Sequence, residues 1–425
     1  MMLILYTIIS VVYILISILL YNRIINPIST YLGVWYLAFF LHECGLAEFD
    51  AITSKTLSFI LLAHTCVLIG CAMGKICSKY KIRFLNVADR SEEERLKRVH
   101  HVLIATATIS IISLFPVIIS SIRTYGLNIL KNTANIYFDS ISSKTESNFS
   151  LSSVIFVNAA FLGYYLKEKE VDFAAKMSIF SLLMYSVSTG SRGGLIILVL
   201  LVISAYFANP IGKKYELSKK DKKKILIFSA TFLVIIVATT MLRNQMDTTS
   251  AGEAMMQGTT GGLSSLVRSV TIYLGAGIGC LDKYLQKPIV VDYPQFFFRV
   301  PYIILNRLGI TNVETTYRGF TYAIPFPANV ITYIGELYHD FQFLMFFVIM
   351  VLSFLYSMCY CHAIKSRTYY SRIWFSALFT IYNLSFFSYF GRVASIWIVI
   401  VVGSIIALLV DKEIKVICKG GRKNR

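Results

Sequence analysis

Hydrophobic residues in this chain come in long unbroken runs rather than in the one-sided or alternating patterns of a water-soluble fold. Leu3 to Leu20, Leu57 to Met73 and Phe343 to Tyr356 contain no charged residue. A run of roughly 18 apolar residues crosses the hydrocarbon of a bilayer as a helix, the conformation in which a single segment satisfies its own backbone hydrogen bonds. Windows of about 19 residues predict eleven spans, at 3–21, 28–46, 56–77, 101–121, 149–166, 173–190, 193–209, 225–242, 342–362, 373–390 and 393–410. The expected fold class is therefore an all-α polytopic membrane protein. Its parts are residues 1–242 with spans 1 to 8, a large loop at 243–341, and residues 342–425 with spans 9 to 11 and a basic tail.

The loop at 243–341 is too long to lack structure of its own. Leu263, Leu266, Val267, Val270, Tyr273 and Leu274 recur at helical spacing opposite Ser264, Ser265 and Thr271. Farther on, Phe296 to Leu305 is apolar and aromatic, interrupted by Arg299 and Pro301. Such amphipathic segments are expected to lie along the membrane surface or to cap a cavity.

Composition agrees with the pattern. Of 425 residues, 56% are hydrophobic and 15% charged, against about 25% charged in soluble domains, which excludes a soluble enzyme. A net charge of +18 would suit nucleic acid if it formed one patch, but 27 of the 41 lysines and arginines fall in alternate connections between the spans. By the positive-inside rule those connections are cytoplasmic, with the amino terminus outside and the carboxyl terminus inside. The excess then rests against anionic lipid, and a nucleic-acid partner loses its support. The first run lacks a basic leading region and a small-residue cleavage site, so it is expected to be a retained helix. Seven of the eight cysteines lie in or beside spans or on the inner side, and no Cys/His zinc spacing occurs. Glu48 and Asp50 have no evident third ligand, so neither metal nor cofactor is expected.

The chemistry gathers on the outer side. Ser188-Thr189-Gly190-Ser191-Arg192-Gly193-Gly194 joins spans 6 and 7. Its glycines allow close backbone approach, its hydroxyls and N–H groups face an incoming anion, and Arg192 adds a planar cation, a set suited to phosphate or pyrophosphate. An ordinary helix hairpin with a snorkelling arginine is the alternative. Arg243 follows span 8, Arg392 lies between spans 10 and 11, and the long loop adds Arg268, Arg299, Arg307 and Arg318. In Pro325 to Phe341, a continued helix puts Thr332, Glu336 and His339 or Asp340 on one face. A carboxylate and an imidazole there could take the proton of a hydroxyl nucleophile, or they could be interfacial polarity at a helix start. Gly275-Ala276-Gly277-Ile278-Gly279 reads as close helix packing, and His42-Glu43 and His64 as buried hydrogen-bonded groups or a proton relay.

Thr189-Gly190-Ser191-Arg192-Gly193 in an outer hairpin, a large late outer loop, and Ile334-Gly335-Glu336-Leu337-Tyr338 leading into the next span together resemble the Wzy-type O-antigen and capsular repeat-unit polymerases. Phe341-Gln342-Phe343 departs from the glycine that many of them carry there. The resemblance implies a GT-C-like fold in the bacterial inner (plasma) membrane. It also implies metal-independent transfer of a glycan from undecaprenyl pyrophosphate to a sugar hydroxyl of a new lipid-linked unit at the outer face. In that chemistry Glu336 is the expected base with His339 as alternate, and Arg192 stabilises the leaving pyrophosphate. Arg243, Arg318, Arg392, Ser191 and Tyr338 would bind substrate. Partners would be the lipid-linked oligosaccharide, the bilayer, and a chain-length regulator and flippase of the same pathway. An O-antigen ligase of the same fold and a lipid-linked oligosaccharide flippase or transporter are the rival readings.

Overall fold

The computed structural model describes residues 2–78, 90–126, 150–189, 192–208, 263–289, 291, 293–315, 322–324, 327–328, 330–365 and 368–412. Within these the chain forms α1 (Met2–Tyr21), α2 (Pro27–Glu43), α3 (Ser54–Cys77), α4 (Glu92–Tyr125), α5 (Val154–Glu168), α6 (Phe173–Thr189) and α7 (Arg192–Phe207). Then follow α8 (Leu263–Gln286), α9 (Arg299–Arg307), α10 (Thr332–Phe341), α11 (Met345–Lys365), α12 (Tyr369–Asn383) and α13 (Ala394–Asp411). A two-residue antiparallel pair, β1 (Tyr322–Ala323) with β2 (Pro327–Ala328), is the only sheet among the described residues. Five helical stretches there are long and apolar enough to cross a membrane: Met2–Tyr21, Ser54–Cys77, Glu92–Tyr125, Thr332–Lys365 and Ala394–Asp411. They mark a helical, multi-pass membrane protein. Helices also stand at five further expected spans, while the span expected at 225–242 lies outside the described residues.

Close approach of helix backbones holds the bundle together. Gly70 and Gly74 sit one turn apart on α3, and Ser353 and Ser357 sit one turn apart on the facing α11. A Cβ on Gly70 would lie 2.2 Å from the carbonyl oxygen of Met350, and one on Gly74 would lie 2.4 Å from that of Phe354. Small residues in this spacing let two helices touch along their backbones, which is the main source of attraction where lipid removes the hydrophobic drive. Gly163 of α5 meets Val202 of α7 in the same way, at 2.2 Å.

A buried chain of hydrogen bonds ties the middle of the bundle. His64 of α3 is 1% exposed, with Nε2 3.0 Å from the Tyr6 hydroxyl and Nδ1 2.8 Å from that of Tyr31. Tyr31 in turn meets the Tyr333 hydroxyl at 2.9 Å, so α1, α2, α3 and α10 share one network. His64 is therefore a satisfied interior histidine. Two departures from the expected spans lie nearby. The tenth span was expected to run through residue 390, but α12 stops at Asn383, and residues 384–393 continue as irregular backbone packed inside the protein. Ser385 explains part of this, since its carbonyl accepts the N–H of Tyr333 at 2.8 Å and its hydroxyl accepts Trp35 Nε1 at 2.8 Å. The ninth span is preceded by the separate helix α10, set off by Thr332 at φ 59° and Gln342 at φ 48°. The positive φ of Gln342 lies outside helical backbone and separates α10 from α11, while Thr332 stands at the start of α10.

The amphipathic pattern at 263 correctly marks α8, which packs into the bundle instead of lying along its surface. Gly275 and Gly279 fit against His42 of α2, and Gly277 fits against the carbonyl of Phe386, as expected of a packing stripe. Asp282 anchors α8 to the start of α3, accepting from the Thr53 N–H at 2.7 Å, the Thr53 hydroxyl at 2.6 Å and the Thr56 hydroxyl at 2.7 Å. Burial opposes ionisation of this carboxyl, but the donors outweigh it and hold its pKa below the ordinary 3.8.

Two outcomes follow. Gly70→Ala or Gly74→Ala should lower thermal stability in detergent by about 1–3 kcal/mol through overpacking, whereas Gly33→Ala, whose Cβ meets nothing within 4 Å, should leave it unchanged. Because the folded pKa of Asp282 is depressed, its contribution is present above the ordinary carboxylate pKa and is lost as pH falls through the lowered value. Asp282→Asn should thus cost stability at neutral pH while the difference from wild type shrinks below about pH 4, as read from melting curves across pH.

Candidate functional site

The site is built where α12 ends and α13 begins, around a carboxylate on α10. Glu336 has no exposure to solvent. The Ser388 hydroxyl lies 2.8 and 3.0 Å from its two oxygens, the Tyr389 N–H donates to Oε2 at 2.7 Å, and Arg392 Nη1 lies 3.2 Å from Oε1. The irregular segment after α12 is thus wrapped around one side chain of α10. Its local sequence suits this. Gly391 has no room for a side chain, since a Cβ would stand 2.3 Å from the Tyr389 ring, and the Gly391 carbonyl accepts Trp397 Nε1 at 2.6 Å. A side chain there would displace the Tyr389 ring, which stacks on Phe297.

Aromatic rings complete the surroundings. The Arg392 guanidinium lies over the ring of Phe296, 5.4 Å from its centre, a cation–π contact that orients the group. Phe297 stacks on Tyr389 at 5.4 Å, with planes 7° apart. One turn beyond Glu336 on the same face, Asp340 accepts the N–H groups of Gln295 and Phe296 at 2.9 Å and of Phe297 at 2.6 Å. Arg299 of α9 falls within electrostatic reach of Glu336 and donates through Nε to the Thr315 carbonyl at 3.0 Å.

Beside this cluster lies an apolar groove of about 230 Å³ between α2, α7, α8 and the segment after α12. Leu37, Ile196, Leu200, Tyr273, Phe387 and Phe390 line it, with Gly193 at one margin. Phe387 and Phe390 belong to the same segment as Ser388 and Arg392, so greasy groove and buried charge share one stretch of backbone.

Of the residues expected to form a site, Glu336 and Arg392 are in direct contact. His339 is near them, with Nδ1 3.2 Å from the Tyr284 hydroxyl and its ring 5.2 Å from that of Phe296. Tyr338 is not part of the cluster. Two positions along a helix from Glu336 it faces the opposite way, where its ring packs against Phe59 at 5.3 Å and Phe343 at 5.7 Å. Arg192 is the first residue of α7, and Gly193 beside it borders the groove. The Arg192 side chain, Ser191, Arg243 and Arg318 lie outside the described residues. The hydroxyls of Ser188 and Thr189 donate back to the Tyr185 carbonyl at 3.1 and 2.9 Å. Between α2 and α3, Asp50 pairs with Lys283 at 2.9 Å. Among the described residues no cluster of three or more His, Cys, Asp or Glu could hold a metal ion.

Ser388 and Tyr389 were not singled out from sequence, Asp340 was named only as the alternative to His339 on the face of Glu336, and Phe296 only as part of an aromatic stretch. The polar residues Asn383, Ser385 and Ser388 inside an apolar stretch were a usable signal, because lipid-exposed helices have no reason to carry them. The role of Asp340 left no sequence trace, since its partners are backbone groups 43 to 45 residues away.

No family model, no curated protein and no solved structure matches this chain.

Removing one partner of a buried ion pair leaves the other charge uncompensated, at a cost of about 3–5 kcal/mol. Arg392→Ala should therefore lower the melting temperature markedly, and adding Glu336→Gln should recover part of the loss because the stranded charge is gone. An Arg392→Ala protein as stable as wild type would refute the pairing.

Proposed function

We propose that this chain is a metal-independent membrane glycosyltransferase that polymerises undecaprenyl-pyrophosphate-linked repeat units into O-antigen or capsular polysaccharide at the outer face of the bacterial plasma membrane. The observation that carries the reading is the junction of Arg392, paired to Glu336, with an apolar groove lined by Phe387 and Phe390 of the same segment. A lipid pyrophosphate has the matching shape of chemistry: an anionic head for a guanidinium and an isoprenoid tail for a groove. The excess of lysine and arginine in alternate connections supports a site on the extracytoplasmic side, where flipped lipid-linked sugars are found. The resemblance of the Arg192 and Glu336 motifs to Wzy-type polymerases supports the same class.

The geometry suggests how such a reaction would be timed. The Glu336 carboxylate is held by Arg392, Ser388 and the Tyr389 N–H. A pyrophosphate drawing Arg392 to itself would uncover Glu336 while stabilising the leaving group. The acceptor hydroxyl oxygen then bonds to the anomeric carbon of the donor glycan, the bond from that carbon to the pyrophosphate oxygen breaks, and Glu336 takes the hydroxyl proton. His339, two side chains from Arg392 through Phe296, is the alternate acceptor. Arg192, beside the groove margin, would supply a second cation to the pyrophosphate.

The test uses a strain whose surface polysaccharide depends on this protein. Its gene is deleted and then restored as wild type, Arg392→Lys or Arg192→Ala at equal membrane abundance, and lipid-linked and surface glycans are resolved by length. Deletion and both variants should leave single repeat units on the outer face, with polymer reduced by about 10²-fold or more. Long polymer that accumulates on its lipid without reaching a final acceptor would make the protein a ligase. Units retained on the cytoplasmic face would make it a flippase.

A further inference from the structure

Asp340 is a half-buried carboxylate that the proposed reaction does not use. It lies one helical turn from Glu336 but does not contact Arg392 in any hydrogen bond or ion pair described above. Its oxygens are instead taken by three consecutive backbone N–H groups, those of Gln295, Phe296 and Phe297, at 2.6 to 2.9 Å. Three donors on one carboxylate are more than a chance surface contact supplies, and they fix the path of the chain just before α9. That path decides where two rings stand. Phe296 supplies the face under the Arg392 guanidinium at 5.4 Å, and Phe297 stacks on Tyr389 at 5.4 Å, the residue whose N–H holds Glu336. α10 therefore grips the Glu336–Arg392 pair from two directions: directly through Glu336, and indirectly through Asp340 and the ring shelf at 296–297.

We infer that Asp340 is a positioning residue for the phosphate-binding arginine, setting the orientation of the Arg392 guanidinium through Phe296 and Phe297. This rests on the reading of Arg392 as the group that binds a lipid pyrophosphate. The physical need is clear. An arginine that must leave a carboxylate for a phosphate has several rotamers open to it, and a ring shelf held by a charge-assisted clamp restricts them to those that keep the guanidinium plane over Phe296. Misplacement of about 1 Å at such a group costs on the order of 10²-fold in rate.

The test measures binding of farnesyl pyrophosphate, and of uncharged farnesol as a tail-only control, to the purified full chain in detergent. Wild type, Arg392→Lys, Asp340→Asn, Phe296→Leu and the double variant Asp340→Asn with Arg392→Lys are compared. Asp340→Asn and Phe296→Leu should each weaken farnesyl pyrophosphate by about tenfold, a moderate share of what misplacement costs, and leave farnesol unchanged. In the Arg392→Lys background, Asp340→Asn should add less than about twofold, because residues acting through one another are not additive. Equal loss of farnesol and farnesyl pyrophosphate, a full additive loss in the double variant, or wild-type binding by Asp340→Asn would each overturn the inference. If Asp340→Asn does not fold, Phe296→Leu decides the matter by the same criteria. Wild type that binds farnesol but gains nothing from the pyrophosphate would instead refute the function proposed for Arg392, and the inference with it.

Discussion

A carboxylate shut away from water, Glu336, is the constraint around which the rest of the site is arranged. An ionised side chain in a dry interior is tolerable only when a counter-charge and hydrogen-bond donors surround it. Here the counter-charge is Arg392 and the donors are Ser388 and the backbone of Tyr389. Meeting that demand requires a stretch of chain that is not helical, because a helix consumes its own N–H groups. The irregular backbone at 384–393 supplies those donors, and Ser385 fastens the same segment to Tyr333 and Trp35 where α12 ends. In a membrane protein such backbone is stable only when buried in protein, which is the situation of this segment.

The same solution recurs at the opposite end of α12. Asp411, at the close of α13, accepts the N–H groups of Tyr369 and Tyr370 at 3.0 and 2.9 Å and lies 3.7 Å from Arg95 of α4. A carboxylate at a helix start satisfies otherwise unpaired N–H groups and the positive end of the helix dipole. Close by, Arg372 pairs with Glu168 at 2.8 Å between the rings of Tyr164 and Tyr369. The helix α12 is thus held by carboxylates from other elements at its start and beyond its end, Asp411 of α13 and Glu336 of α10. Such clamps fix the ends of a 15-residue helix that is shorter than the roughly 20 residues of a typical span.

Between these ends the interior combines two kinds of contact. Backbone-close packing at Gly70 and Gly74 brings α3 and α11 together, while Tyr6, His64, Tyr31 and Tyr333 run a hydrogen-bonded line across four helices. The line ends on α10, one turn before Glu336. Rigid packing beneath and a wrapped loop above leave the groove beside Phe387 and Phe390 as the open volume next to the charge. This juxtaposition, more than any single residue, is what the proposed lipid pyrophosphate substrate rests on.

Much of this was legible in the sequence, and the boundary of what was legible has a physical cause. Apolar runs marked where ten of the eleven expected spans hold a helix, the eleventh lying outside the described residues, because the cost of exposing backbone in lipid is set locally, residue by residue. The helical spacing from Leu263 marked α8 and the glycine stripe marked its packing face, since periodicity is a property of neighbours in sequence. Glu336 and Arg392 stood out as charges where apolar residues were expected. Their mutual contact did not, nor did the opposite facing of Tyr338, the break at Asn383 or the clamp of Asp340 on Gln295, Phe296 and Phe297. Sequence by itself determined the class of the protein, a helical multi-pass membrane protein, and the inventory of unusual charges. Tertiary structure alone decided which charges meet and where the helices must stop, because a buried charge is satisfied by whichever groups the packing brings to it, and those came from segments more than forty residues away.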